Sequence, residues 1–277
     1  MEKLLEVIDN LSIYSFKDIK ENINKINISK DSIENLKIVV NNLLNDSRKN
    51  VISLGNRLEK KINKYIEEKN RVESMYRFDK AFLSEGLIAG VDEVGRGPLA
   101  GPIVACAVIL NLSDIDDIIL EINDSKLLTR EKREELDKVI REKAISFSIA
   151  EIDNKEIDEK GIGYSNNKIF IDACMNLSKK PDLVLSDGYL IKNFPIENKC
   201  VIKGDRKSAS IACASIVAKV YRDNIMKKYH DKYPNYDFEN NVGYGTKNHL
   251  EGIKNYGITP IHRESFLKNI LNNFMDV

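Results

Sequence analysis

The chain has 277 residues, 42% of them hydrophobic and 31% charged, and its 43 basic and 43 acidic side chains cancel. That is the composition of an ordinary globular protein, long enough for one large domain or a medium one with an appendage. No window approaches the roughly 18 apolar residues of a membrane span, and the N-terminus carries acids where a secretion signal needs a basic start, so a cytoplasmic protein with no membrane partner is expected.

Residues 1 to about 75 contain no proline and a single glycine, Gly55. From Ser47 onward Val51, Leu54, Leu58, Ile62 and Ile66 recur every three or four positions, which predicts a helix. Residues 48–80 carry ten basic and five acidic side chains, a pattern that suits a solvated helix face or one that adds phosphate contacts. The texture changes near 75–85, predicting a helical N-terminal extension over 1–80 and a second domain over 81–277.

Leu87–Val91 and Pro102–Leu110 are apolar, β-prone runs joined by a Gly-rich turn. Thr129 is a candidate N-cap for a helix to about Ala144. Ile145–Ile152 reads as a strand, Asn166–Ser178 as a helix, Leu183–Ser186 and Cys200–Ile202 as short strands, and Ser208–Tyr229 as a long helix. Ala209, Ala212, Ala214, Ser215 and Ala218 would let that helix pack closely on the sheet. Loops and two further helices fill the last 45 or so residues. The order predicts an α/β fold with a mixed sheet. Cys106, Cys174, Cys200 and Cys213 never form a Cys-x-x-Cys pair, so buried free thiols are expected rather than a zinc site.

The candidate chemistry is acidic. Asp92 and Glu93 follow an apolar strand, Asp187 closes Asp-Leu-Val-Leu-Ser-Asp, and Asp205 closes Cys-Val-Ile-Lys-Gly-Asp just before the long helix. Strand ends that each deliver a carboxylate suggest convergence at one edge of the sheet, where open α/β folds place their sites. Carboxylates with no His or Cys partner suit hard divalent cations, Mg²⁺ or Mn²⁺, and two such ions can serve phosphoryl displacement. Adjacent strand residues point to opposite faces, so Asp92 and Glu93 can share a site only if the turn at Gly95 and Gly97 begins at Glu93 and swings it round. By itself Gly95-Arg96-Gly97 reads as a tight turn; it is no Walker A loop.

Gly-Val-Asp-Glu-Val-Gly-Arg-Gly-Pro-Leu-Ala-Gly-Pro (90–102) resembles the opening motif of bacterial ribonuclease HII. Asn-Asp-Ser-Lys-Leu-Leu (123–128), Leu-Ser-Asp-Gly (185–188), Ile-Lys-Gly-Asp-Arg-Lys-Ser (202–208), Ala-Ser-Ile-Val-Ala-Lys-Val-Tyr-Arg-Asp (214–223), Val-Gly-Tyr-Gly-Thr-Lys-Asn-His (242–249) and Thr-Pro-Ile-His-Arg-Glu-Ser-Phe (259–266) continue the resemblance in order. It implies an RNase H-like fold: a mixed sheet flanked by helices, with C-terminal helices and the helical N-terminal extension. It implies an endoribonuclease acting on RNA–DNA hybrids and on single ribonucleotides embedded in duplex DNA, in replication and repair. The family's four metal-binding acids map onto Asp92, Glu93, Asp187 and Asp205, with two Mn²⁺ or Mg²⁺ ions expected. Its Gly-Arg-Gly motif maps onto Gly95, Arg96 and Gly97, which would grip the 2′-hydroxyl, and its tyrosine onto Tyr244, which would stack on the sugar of the following deoxynucleotide. Arg96 separates the chain from ribonuclease HIII, which carries Lys there; Cys213 stands where the family has alanine.

Lys126, Lys207 and Ser208 are placed to meet phosphate, the last two at a helix N-terminus that suits an anion. Asp223 is expected in a salt bridge or a cap, and His249 and His262 in structural hydrogen bonds. A monomer is expected. Two other readings stay open: an RNase H-like nuclease acting on branched DNA, and a nucleic-acid-binding protein without catalysis.

Overall fold

A computed structural model describes residues 11–114 and 116–275, in two compact units, 1–71 and 72–277. In the first, α1 (Phe16–Asn24) starts at Ser15, whose hydroxyl accepts the Asp18 N–H, and α2 (Ile33–Leu44) follows. α3 (Lys49–Lys80) begins here and its last turns belong to the second unit. The apolar stripe read from the sequence is real: Val51, Leu54, Leu58 and Ile62 are buried against Ile19, Leu36, Val39 and Leu43.

The second unit is built on a five-stranded mixed sheet, β1 (Ile88–Val94), β2 (Ile103–Ile109), β3 (Ser146–Ile152), β4 (Leu183–Asp187) and β5 (Glu197–Val201), in the order β3-β2-β1-β4-β5. β1 and β3 run antiparallel to β2, while β4 is parallel to β1 and β5 to β4. Every residue of β2 is buried, as an inner strand covered on both faces requires, whereas β5 is an edge strand with Glu197 and Lys199 facing water. Around it lie α4 (Arg130–Lys143), α5 (Asn154–Lys160), α6 (Ile162–Met175), α7 (Ala209–Lys232), the single turn α8 (Phe238–Asn241), α9 (Lys247–Tyr256) and α10 (Glu264–Met275). Among the described residues no helix is long and apolar enough to cross a membrane.

Two cores lie on opposite faces of the sheet. On one, Val104, Cys106 and Val108 pack against Ala212, Cys213, Ile216 and Val217 of α7; on the other, Ala105, Ala107 and Ile109 pack against Ile169, Phe170 and Ala173 of α6. Small residues on α7 permit a close approach, and at Gly90 it becomes backbone contact: a Cβ there would collide with the main chain of Ser210 and Ile211. The N-terminus of α7 is thus pressed onto β1 two residues before Asp92.

Three expectations are corrected. β1 does not stop at Val91 but stays paired with β2 through Val94. The fifth strand lies at Glu197–Val201, earlier than Cys200–Ile202, because its register is set by pairing with β4. Cys200 is exposed on that edge, while Cys106, Cys174 and Cys213 are buried free thiols.

Asp79, fully buried near the end of α3, accepts the Ser210 N–H at 2.8 Å and so supplies the negative charge at the start of α7. Burial raises its carboxyl to about 6 in spite of the hydrogen bonds from Ser208 and Ser210. A folded-state value above the unfolded one means that the protonated carboxyl is the better-housed form, so stability from this group is full at pH 4 and is lost as pH rises through 6. Asp79→Asn keeps the acceptor and removes the charge: its unfolding midpoint should exceed wild type at pH 7–8, and the gain should shrink toward pH 4–5, as thermal melts across pH will show.

Candidate active site

The carboxyl ends of β1 and β4 set the site. Val91 pairs with Ser186, so the next residues, Asp92 and Asp187, come level on neighbouring parallel strands. Asp187 Oδ1 accepts the Gly204 N–H at 2.6 Å, which ties the turn carrying Asp205 to the end of β4. Asp92, Glu93, Asp187 and Asp205 line one cleft of about 370 Å³, together with Val94, Ser125, Lys126, Ser215, Lys219 and Tyr244. Glu93 reaches it without leaving the strand. β1 stays paired with β2 through Val94 while β4 ends at Asp187, and Asp92, Glu93 and Val94 all line the cleft there. The swung turn expected from the sequence is not needed.

Asp92, Glu93 and Asp205 are not at ease. Burial pushes Asp92 well above the carboxylate range, and Glu93 and Asp187 push it further, while the Ser215 hydroxyl and the Glu93 N–H pull it back. Glu93 is raised to about 7, chiefly by burial and against the pull of Arg96. Asp205 is raised by burial and by the nearby Asp124 and Asp187. Among the described residues no three His, Cys, Asp or Glu side chains are gathered closely enough to enclose an ion in common; the acids surround the cleft rather than touch. Their donor set is all oxygen, which is what a hard divalent cation takes, and a cation is the partner that would relieve buried like charges.

Of the other residues singled out from sequence, Lys126 lines the cleft from a short turn capped by Asp124, whose Oδ1 accepts the Lys126 N–H. Tyr244 is half exposed, and Gly97 lies against it: a Cβ at 97 would stand 3.6 Å from the ring. The Arg96 guanidinium sits 4.4 Å over the exposed ring of Tyr189. Lys207 is exposed outside the cleft lining, and Ser208 is fully buried, its Oγ accepting the Ile211 N–H. Asp79 stands as the anion at that helix N-terminus, and the N–H groups of Ser210 and Ile211 there are taken by Asp79 and Ser208.

Sequence reasoning passed over four residues here. Ser215, read only as a small packing residue, and Lys219 lie one helical turn apart on α7 and face the cleft; the Ser215 hydroxyl meets that of Ser125 at 3.0 Å. Lys219 is paired with Asp223 at 2.7 Å, and burial lowers its ammonium from the usual range. The i, i+4 spacing of Ser215, Lys219 and Asp223 was the available signal. The other two are Arg222 and Arg263, both fully buried. Arg222 donates to the carbonyls of Pro102, Val242 and Ala100, at 2.8, 2.8 and 3.2 Å. Arg263 donates to those of Gly95 (2.6 Å), Arg96 (3.1 Å) and Gly101. Gly95, at φ +90°, has no room for a side chain because Arg222 Nε fills the space.

A family model described as ribonuclease HII matches residues 89–269, and one described as the ribonuclease HII N-terminal domain matches 15–83. The chain belongs to the ribonuclease HII family. It is 63% identical over 272 residues to ribonuclease HII of Clostridium perfringens, covering 98% of this chain and all of that one, and 59% identical to the Clostridium beijerinckii protein of the same name over 97% and 100%. The crystal structure of ribonuclease H2 from Pyrococcus horikoshii superposes with a TM-score of 0.59 at 28% identity, over 69% of this chain and all of that one. The fold is thus RNase H-like, and the chain is an enzyme: a ribonuclease H, a phosphodiester hydrolase of the endonuclease type. That excludes a binding protein without catalysis.

Arg263→Lys tests the clasp beneath the loop. A lysine carries no planar fork and can reach at most one or two of the carbonyls now served, leaving the others buried and unpaired. We expect stability lowered by about 2–4 kcal/mol and kcat/KM by about ten- to a hundredfold, measured by urea unfolding and steady-state cleavage.

Proposed function

We propose that this enzyme cleaves the RNA strand of RNA–DNA hybrids and single ribonucleotides embedded in duplex DNA, hydrolysing the phosphodiester 5′ of the ribonucleotide and leaving a 3′-hydroxyl and a 5′-phosphate. The observation that carries the reading is the union, in one cleft, of four carboxylates and of Tyr244, against which the Gly-Arg-Gly loop is packed. Asp92, Glu93, Asp187 and Asp205 would hold two Mg²⁺ or Mn²⁺ ions; bound there, the metal activates the attacking water and neutralises charge at the phosphate. Gly95, Arg96 and Gly97 meet the 2′-hydroxyl, the one group that distinguishes RNA from DNA at a given position. The Tyr244 ring packs on the next sugar, where a protruding hydroxyl would spoil the contact. Lys126 and Lys219, at the cleft wall, face the phosphate backbone. The N-terminal unit adds phosphate contacts: Lys20, Arg57 and Lys61 rim a small cleft of about 120 Å³ on it. A nuclease for branched DNA would have no use for a sugar check, so the Gly-Arg-Gly and Tyr244 arrangement favours the ribonucleotide reading. Removing ribonucleotides and RNA primers from DNA is the corresponding role in the cell.

The test is a DNA duplex carrying one ribonucleotide, incubated with Mn²⁺ or Mg²⁺ and then with EDTA. A single nick 5′ of the ribonucleotide, abolished by EDTA and by Asp187→Asn while duplex binding persists, is expected; metal-independent cleavage, or none, sinks the reading.

Metal binding should also be linked to protons. Glu93 near 7 is partly protonated at neutral pH, and a cation must displace that proton. Calorimetric Mg²⁺ titrations in buffers of different ionisation heat should show proton release, and an affinity that falls as pH drops below 7.

A further inference from the structure

Tyr244 belongs to a short loop with unusual backbone, Val242 at φ +44° and Gly243 at +90°. What fixes the loop from below lies in the core. The Tyr244 carbonyl accepts the Thr246 N–H at 2.8 Å and is met by Nδ1 of His249, on the first turn of α9, at 2.9 Å. His249 Nε2 faces His262 Nε2 at 3.0 Å, and His262 Nδ1 lies 2.8 Å from both the amide nitrogen and the hydroxyl of Thr259. The two rings are buried against the stacked pair Tyr236 and Phe238: His249 stands edge-on to Phe238 at 5.1 Å, and His262 edge-on to Tyr236 at 5.3 Å.

The ends of this chain dictate its protons. A carbonyl can only accept, so His249 Nδ1 carries hydrogen; in the neutral ring Nε2 then accepts. An amide N–H can only donate, so His262 Nδ1 accepts and its Nε2 carries the hydrogen that His249 needs. One tautomer of each ring satisfies the contacts with the Tyr244 carbonyl, between the two rings and with the Thr259 N–H, and it requires both rings neutral; the Thr259 carbonyl, 3.3 Å from His262 Nδ1, already accepts the His262 N–H at 3.0 Å. The surroundings agree: burial lowers both imidazoles, His262 to about 4 with His249 adding to the effect.

We infer that His249 and His262 are positioning residues for sugar discrimination: a one-way chain, Thr259 N–H to His262, His262 to His249, His249 to the Tyr244 carbonyl, fixes the height at which the Tyr244 ring meets the nucleic acid. The inference rests on the proposed sugar check by Tyr244. Neither histidine lines the cleft or touches the reacting atoms, so neither is catalytic. The local chemistry allows the two halves of the chain to be cut separately. An asparagine amide at 249 falls near Nδ1 and keeps the donor to Tyr244. A glutamine amide falls near Nε2, keeps the contact with His262 and loses Tyr244.

The experiment measures kcat/KM on a DNA duplex with one ribonucleotide and on a continuous RNA–DNA hybrid, and takes the ratio. Tyr244→Ala should collapse the ratio. His249→Leu and His249→Gln should lower it about tenfold, the consequence of one hydrogen bond, while His249→Asn stays within about twofold of wild type. His249→Leu in the Tyr244→Ala background should change the ratio no further. Thermal melts accompany each variant; if the leucine variant fails to fold, the contrast between asparagine and glutamine, both polar, decides. An intact ratio in His249→Gln beside a collapsed one in Tyr244→Ala overturns the inference and leaves the sugar check standing. An equal loss in both backgrounds, or equal ratios for asparagine and glutamine, also overturns it. A ratio untouched by Tyr244→Ala removes the sugar check itself, and the inference with it.

Discussion

Asp92, buried, and Asp187, half-buried, stand level at the ends of two neighbouring parallel strands, and holding two such charges side by side is costly unless something of opposite sign joins them. Much of the second unit can be understood as the frame that keeps them there. The parallel register of β1 and β4 brings them level, and the loss of side chain at Gly90 lets the start of α7 close over the same strand. Ser215 approaches Asp92 from that helix, and the Gly204 N–H binds Asp187 and brings Asp205 to the same cleft. Each contact relieves one lone pair, and none neutralises the charge. A site built in this way is poised for a cation.

The loops beside the cleft depend on a second constraint, main-chain carbonyls turned into the protein. Arg222 and Arg263 satisfy them, with carbonyls of the 95–102 segment and of Val242 as their acceptors. Two planar, five-donor groups can fix an irregular backbone more firmly than a set of separate side chains. The cost is two buried positive charges, visible in the fall of Arg222 to about 10 and Arg263 to about 9. They lie directly under the loop that we propose receives an anionic strand, where positive potential is useful.

The sequence made the strands, the long helices and the acidic constellation legible because each is a local pattern: apolar runs ending in Asp92, Asp187 and Asp205, and a capping threonine before α4. It misjudged what depends on partners far along the chain. β1 continues through Glu93 because β2 keeps pairing with it, and the position of β5 is set by β4. Ser208 looked like an anion-binding helix start, but the anion there is Asp79, 131 residues earlier than the Ser210 amide that it accepts from. Arg222 and Arg263 sit in motifs already recognised, yet nothing local shows that their guanidiniums are buried. His249 and His262 were expected in structural hydrogen bonds and are found so; that the bonds lead to Tyr244 was not readable without the fold.

The central claim is that Asp92, Glu93, Asp187 and Asp205 hold divalent cations where a ribonucleotide strand is cut. Anomalous diffraction from crystals grown with Mn²⁺ and a duplex carrying one ribonucleotide, using Asp187→Asn to slow turnover alongside wild type, tests it most directly. The account predicts manganese density among these four side chains in wild type, diminished in the variant, with the ribonucleotide beside Gly95–Gly97 and Tyr244. Manganese bound elsewhere, or a duplex lying away from this cleft, would contradict it.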